Sequence, residues 1–332
     1  MTPNKYSVIL GNLGNTCDRF LPTGYKDVPG TRRMLEMAGT ISGISGIELV
    51  GTWDVTPANA SEMKHLLEDN RLECVSIIPD HFSNKLWGRG SFCSRDAAVR
   101  QAAIDATLET ADIARTVGCS MINLWLGQDG YDYPLQAHFG RERGWMVEGL
   151  REVANRCPDM RFALEYKLKE PRIHSYHARA ADTLLMVQEI AASNVGVCID
   201  VGHSLLAQEN VGEAAWMLQH YGERLFHMHF NDNYRYWDDD MIVGSVHFVE
   251  YIELLHWLRE SKYSGWYSMD LYPYREDGVR AVAESVAFLR DLESALTAER
   301  HEEIRRLLEA GDATASTRWV RNLIFGSRQG LS

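Results

Sequence analysis

The sequence predicts an α/β protein built as a (β/α)8 barrel, the TIM-barrel class, with a C-terminal helical extension. Between residues 6 and 295, eight short apolar runs alternate with eight longer amphipathic segments. The runs lack strict polar alternation, which suits parallel strands buried on both faces. An open doubly wound sheet is the rival topology, but no glycine-rich fingerprint opens the first helix. Eight such units point to a closed barrel.

Taken in order, "YSVIL" (6–10) precedes a helix predicted from Thr31 to Ser42. "GIELV" (46–50) precedes "ASEMKHLLEDN" (60–70), where Ser61 is placed to cap and Met63, Leu66 and Leu67 share a face. "CVSII" (74–78) leads to a long helix from Ser94 to Val117, and "MINLWL" (121–126) to one from Gly144 to Arg156. "FALEY" (162–166) is followed by a helix from Ala178 to Ala192, and "VGVCI" (195–199) by one from Val211 to Tyr221. "LFHMHF" (225–230) is followed by a helix from Val246 to Ser261, and "GWYSMDL" (265–271) by one from Gly278 to Ala295. A catalytic barrel over residues 1–298 and an extension over 299–332 follow. In the extension, "RHEEIRRLLEAGDA" predicts a surface helix, and "TRWVRNLIFG" carries enough apolar side chains to need a partner on the barrel or on a neighbouring subunit.

Of 332 residues, 45% are hydrophobic and 24% charged, a soluble globular balance. The apolar runs are strand-sized, so no membrane span is expected. The start, "MTPNKYSVIL", lacks the apolar region of a secretory signal. Six scattered cysteines with no CxxC pair fit a reducing cytoplasm. A net charge of -12 argues against nucleic acid, whose phosphates demand clustered Lys and Arg, and leaves a neutral substrate or a divalent cation open.

Catalytic residues of such barrels lie at the C-terminal ends of strands. Here the notable charges fall there: Glu165 and Lys167 on the fifth unit, Asp200 and His203 on the sixth, His229 with Asp238, Asp239 and Asp240 on the seventh, and Asp270 on the eighth. Each has a plainer alternative: Asp200 as a helix cap, His203 as a first-turn histidine, the aspartate run as a solvated loop. Together, Glu165, Asp200, His229 and Asp270 would converge from four adjacent strands. Three carboxylates and an imidazole suit Mn2+, Mg2+ or Co2+ rather than a thiolate-bound metal. His203, Asp238 and Asp240 supply a second set, with Asp238 and Asp240 aimed alike if the loop is extended and Asp239 pointing into solvent. A cation between them would relieve the repulsion of three consecutive aspartates.

These segments, "ALEYK", "CIDVGH", "HFNDNYRYWDDDM" and "MD" in that order, resemble the xylose-isomerase-like superfamily of sugar isomerases and epimerases, with the L-rhamnose isomerase-type members nearest. The resemblance spans residues 6 to 295. It implies two divalent metals per subunit, commonly Mn2+, a homo-oligomer (dimer or tetramer), and a small neutral monosaccharide as substrate. It implies that Glu165, Asp200, His229 and Asp270 hold the metal that grips substrate oxygens, and that His203, Asp238 and Asp240 hold the catalytic metal. Lys167 matches the lysine that polarises the carbonyl oxygen, and His81 the position of a ring-opening histidine. Trp53 and Trp125 are expected as sugar-facing walls, with core packing as the alternative. The implied reaction is aldose–ketose isomerisation by a 1,2-hydride shift. A ketose 3-epimerase is the nearest rival, opposed by Asp270 standing where that group uses glutamate. A DNA-repair endonuclease on the same barrel is opposed by the acidic surface, and a non-catalytic sugar-binding protein by two complete ligand sets.

Overall fold

The computed structural model describes residues 4–17, 21–170 and 172–326. Residues 1–3 of the expected barrel segment and 327–332 of the expected extension lie outside these. Eight parallel strands close a barrel in chain order: β1 (Lys5–Ile9), β2 (Ile44–Val50), β3 (Glu73–Ile78), β4 (Met121–Trp125), β5 (Arg161–Glu165), β6 (Val195–Asp200), β7 (Leu225–Phe230) and β8 (Trp266–Met269). β8 pairs with β1 from Lys5↔Trp266 to Val8↔Met269, which closes the ring. Around it run α1 (Thr31–Thr40), α2 (Ala60–Asp69), α3 (Ala97–Val117), α4 (Phe139–Arg156), α5 (Ala180–Ile190), α6 (Val201–Leu206), α7 (Val211–His220), α8 (Phe248–Glu260) and α9 (Gly278–Ala295).

The main core fills the space between strands and helices. Val8, Ile47, Leu49, Ile77, Ile122, Leu164, Val197 and Met228 are fully buried there. Each such side chain contributes on the order of 1.5–3 kcal/mol. That is why the strands read as near-continuous apolar runs. Among the described residues, no helix is long and apolar enough to cross a membrane.

Local differences from the sequence expectations have identifiable causes. α4 starts at Phe139 rather than Gly144, because the His138 ring accepts a capping bond from Arg141 N at 3.3 Å. Ser61 does not cap α2: the helix starts at Ala60, and the preceding Asn59 turns its Oδ1 to Thr56 N at 2.6 Å. Asp200 opens an extra one-and-a-half-turn helix, α6, before α7. A two-residue antiparallel ribbon, Gly130–Tyr131 against His174–Ser175, joins the loops that follow β4 and β5.

Beyond the barrel lie α10 (Ala298–Ala310) and α11 (Ala313–Phe325). α10 seats on α8 through the buried His256–His301 contact at 2.9 Å and the Arg305–Glu260 ion pair at 3.0 Å. Ile304, Trp319, Val320 and Leu323 pack against the core, while Leu308, Ile324 and Phe325 stay exposed.

Candidate metal centre

Parallel strands of one barrel end together, so their last residues meet at one rim. Glu165 and Asp200 are the last residues of β5 and β6, His229 is the penultimate residue of β7, and Asp270 directly follows β8. Asp200 and His229 are register partners, and Asp270 continues the ladder by donating N–H to Phe230 O at 3.2 Å. The four side chains each offer a donor atom, all within 4.8 Å of one another. His229 Nδ1 lies 3.2 Å from Asp270 Oδ2 and 3.5 Å from Glu165 Oε2, yet this buried nitrogen has no hydrogen-bond partner.

A second group overlaps the first. Asp200, His203 and Asp238 bring donor atoms within 4.8 Å of one another. His203 Nε2 is 3.2 Å from Asp238 Oδ2, and Nδ1 is 3.4 Å from Glu165 Oε1. Asp200 also caps α6, its Oδ1 accepting from His203 N at 2.8 Å, so the plain role and the ligand position fall on one carboxylate. Lys167 Nζ is 2.6 Å from Asp238 Oδ2 and also pairs with Glu170.

The aspartate run is not extended. Asp240 takes a left-handed φ of 45° and does not join the Asp200–His203–Asp238 group. Its Oδ1 accepts from Asn231 Nδ2 at 3.0 Å, and the same amide donates to Asp200 Oδ2 at 2.8 Å. Asp239 does not point into open solvent. It is half-buried, and its Oδ2 accepts from Tyr234 N at 3.2 Å, tying the loop to itself.

Electrostatics follow from burying so many carboxylates. Burial, with Asp270, Asp238 and Glu165 nearby, pushes Asp200 up to about 7 against the opposing pull of His203. Burial disfavours charge on His203, but Asp200 and Asp238 outweigh it and raise the imidazole to about 9. Asp240 is raised well above the carboxylate range by burial and by Asp238, Asp270 and Asp200. Burial opposes charge on Glu165 and Asp238 too; His229 and His203 hold Glu165 low, and Lys167 and His203 hold Asp238 low. The protein alone balances this charge by holding protons. The set fits a divalent cation, which would supply the same balance: hard oxygen and imidazole donors converge, and His229 Nδ1, His203 Nδ1 and Asp238 Oδ1 are buried without hydrogen-bond partners.

Aromatic rings line one side. The Lys167 ammonium sits 5.1 Å from the Trp125 ring centroid, Trp125 meets Phe82 at 4.7 Å, and Phe82 meets Trp53 at 5.6 Å. Trp53 is 54% exposed and donates its indole N–H to Asp80 at 3.1 Å. His81 is not gathered into the cluster. It is fully buried between Trp87 and Phe92, with Nε2 3.4 Å from Thr107 Oγ1, and burial lowers it to about 4.

Several participants carry no obvious sequence signal. Asn123 on β4 donates to Glu165 Oε2 at 2.6 Å, and Glu170 pairs with Lys167, whereas Asn231, which bridges Asp200 and Asp240, stands in the segment "HFNDNYRYWDDDM". Glu48 on β2 lies wholly inside the barrel against His227 at 2.8 Å and His229 at 3.3 Å. Its signal was a single acid within the apolar run "GIELV".

Residues 40–292, well over half the chain, match the family described as xylose isomerase-like TIM barrel. The chain belongs to that family. Among curated relatives, it is 28% identical over 258 residues to a xylose isomerase of Thermus thermophilus, covering 74% of this chain and 66% of that protein. It is 28% identical over 158 residues to a probable sugar isomerase of Rhizobium meliloti, covering 47% of this chain and 36% of that protein. The chain thus spans less than two thirds of the length of these relatives. Among solved structures, a D-tagatose 3-epimerase-like protein superposes with a TM-score of 0.68 at 20% identity, over 90% of this chain and 99% of the other. A 3-keto-D-glucoside 4-epimerase from E. coli gives 0.66 at 17% identity, over 87% and 100%. At those identities the likeness establishes the shared barrel alone.

Proposed function

We propose that this chain is a divalent-metal-dependent sugar isomerase, interconverting an aldose and a ketose by moving hydrogen directly between C2 and C1. The carrying observation is that Asp200 belongs to two ligand groups at once, with Lys167 held 2.6 Å from Asp238 of the second. Glu165, Asp200, His229 and Asp270 would hold one ion, and His203, Asp238 and Asp200 the other, with Asp240 nearby through Asn231. Mn2+ suits these donors best, with Mg2+ or Co2+ as substitutes. When bound, such ions supply Lewis-acid polarisation of the sugar's oxygens.

The chain's own residues then do the rest. Lys167 stays charged, because Asp238, Glu170 and Asp240 outweigh its burial. A fixed ammonium beside the carbonyl oxygen stabilises negative charge as it develops there. Trp125 and Trp53 offer faces to the sugar's C–H groups, and the buried Trp125 Nε1, which has no partner within the protein, is placed to donate to a hydroxyl. Glu165 is engaged by Asn123 and flanked by His203 and His229, which leaves it poorly placed as a base at C2. A small neutral monosaccharide is the proposed substrate. A homo-oligomer, dimer or tetramer, is supported by the apolar side chains exposed on the extension, and a cytoplasmic setting by six free thiols.

The test is a panel of aldoses deuterated at C2, incubated with Mn2+. Ketose carrying the label at C1 supports the proposal; label lost to water sinks the direct transfer. A second reading, ketose 3-epimerisation, has its own observation. Glu165 is held low while burial raises Asp270, and both flank His229, so two carboxylates have their proton affinities pushed apart as an acid–base pair requires. A product inverted at C3, with exchange of that hydrogen, would select it.

A further inference from the structure

Glu48 is a fully buried carboxylate whose two oxygens are used symmetrically. Oε1 accepts from Ser268 Oγ and lies 2.8 Å from His227 Nε2; Oε2 accepts from Ser76 Oγ and lies 3.3 Å from His229 Nε2. An ionised carboxylate only accepts hydrogen bonds, so each ring nitrogen facing it must carry its proton. For His229 this has a directional consequence. With hydrogen on Nε2, the lone pair of a neutral ring sits on Nδ1, the nitrogen that faces Glu165 and Asp270 and has no hydrogen-bond partner.

We infer that Glu48 is a positioning residue of the metal centre: by accepting from His229 Nε2 it fixes the tautomer and ring angle that present Nδ1 to the ion. His227 is the balancing arm. It holds the other oxygen, and its own outer nitrogen reaches no partner, so it steadies Glu48 without contributing to the centre. The serines come from the flanking strands: Ser76 is the register partner of Glu48, and Ser268 that of His229. The carboxylate therefore cannot swing away from either ring without leaving two hydroxyls unpaired.

This role rests on the metal centre proposed above, and the experiment separates the two. Calorimetric titration with Mn2+ is run on the wild type, Glu48→Gln and His227→Gln, each first stripped with a chelator and checked by thermal melting. Glu48→Gln should weaken Mn2+ binding by roughly 10–100-fold, the range seen when the outer partner of a ligating histidine is lost. His227→Gln should cost clearly less. Independently, long-range 1H–15N spectra of the Zn2+-loaded wild type should place the His229 proton on Nε2. Wild type that binds no Mn2+ overturns the metal centre and this role together. Binding by wild type with unchanged affinity in folded Glu48→Gln, or a His229 proton on Nδ1, overturns the role of Glu48 alone. Loss in Glu48→Gln of an additional ion, with the other sites unaffected, overturns it as well, since Glu48 would then be a ligand.

Discussion

Lys167 Nζ stands 2.6 Å from Asp238 Oδ2 in a buried ion pair that ties the loop after β5 to the loop after β7. Burial alone would drive the ammonium toward neutrality, and Asp238, Glu170 and Asp240 together reverse that and raise its proton affinity above the ordinary lysine value. Lys167→Met should therefore do two things. It should lower kcat by on the order of 10²–10³, the scale of losing one preorganised charge at a developing oxyanion. It should also lower the stability of the metal-free fold, because Asp238 is left with His203 alone and Glu170 loses its partner. Lys167→Arg should not rescue turnover, since a planar fork does not substitute for a compact ammonium. Steady-state kinetics and denaturant melts check both parts; undiminished kcat in Lys167→Met would remove this residue from the chemistry.

Metal removal should expose a pH dependence of stability. His203 is raised to about 9, so its contribution is complete below its unfolded value and is lost as pH climbs through about 9. Asp200 is raised to about 7; the folded state holds that proton more tightly, so stability again falls as pH rises toward about 7. Both signs agree. The chelator-treated protein should melt at progressively lower temperature between about pH 5 and about pH 9, and Mn2+ should flatten the curve while displacing protons. Ca2+ should restore less, since it prefers more and longer oxygen bonds. A metal-free melting temperature that rises over this window would contradict the buried charge balance.

The three aspartates should separate cleanly under Asn substitution. Asp238→Asn removes the negative charge that faces Lys167 and His203 and should nearly abolish turnover. Asp240→Asn replaces the carboxyl that Asn231 links to Asp200 and should give an intermediate loss. Asp239→Asn should leave both kcat and stability close to wild type, since the amide oxygen can still accept from Tyr234 N. Turnover with each variant at saturating Mn2+ ranks them; a severe activity defect in Asp239→Asn breaks the ranking.

His81 offers a contrast between two roles. Its ring is sealed by Trp87, Phe92 and Thr107. His81→Asn should lower the melting temperature and leave both kcat and KM near wild type. A selective loss of activity on cyclic sugar, with open-chain substrate unaffected, would restore it to ring opening.

The strand–helix alternation was legible because burial on both faces forces long apolar runs, and no other common sheet demands them. Glu165, Asp200, His229 and Asp270 were legible as a group because each ends such a run, where charge conflicts with its neighbours. Glu48 was not. In "GIELV" it sits between Ile47 and Leu49, and a period of two leaves undecided which face is the barrel interior. Here the aliphatic neighbours face the helices and the acid faces inward. The fate of Asp239 and Asp240 was hidden for a different reason: a left-handed turn at Asp240 breaks the alternation that predicted their directions. The start of α4 was obscured by a histidine cap and by Gly140 and Gly144, which weaken the helical signal.

The network around Glu48 also bears on how the barrel divides. Glu48 and Ser76 stand on β2 and β3, while His227, His229 and Ser268 stand on β7 and β8. Cut between β4 and β5, the chain would leave Glu48 with Ser76 alone in one half, and would leave His227 Nε2 and His229 Nε2 without their acceptor in the other. A buried carboxylate that loses its imidazole partners is costly, so the network favours the closed ring over either half. The network thus couples the two halves of the barrel through its interior, so that closing the ring completes the pairing of Glu48.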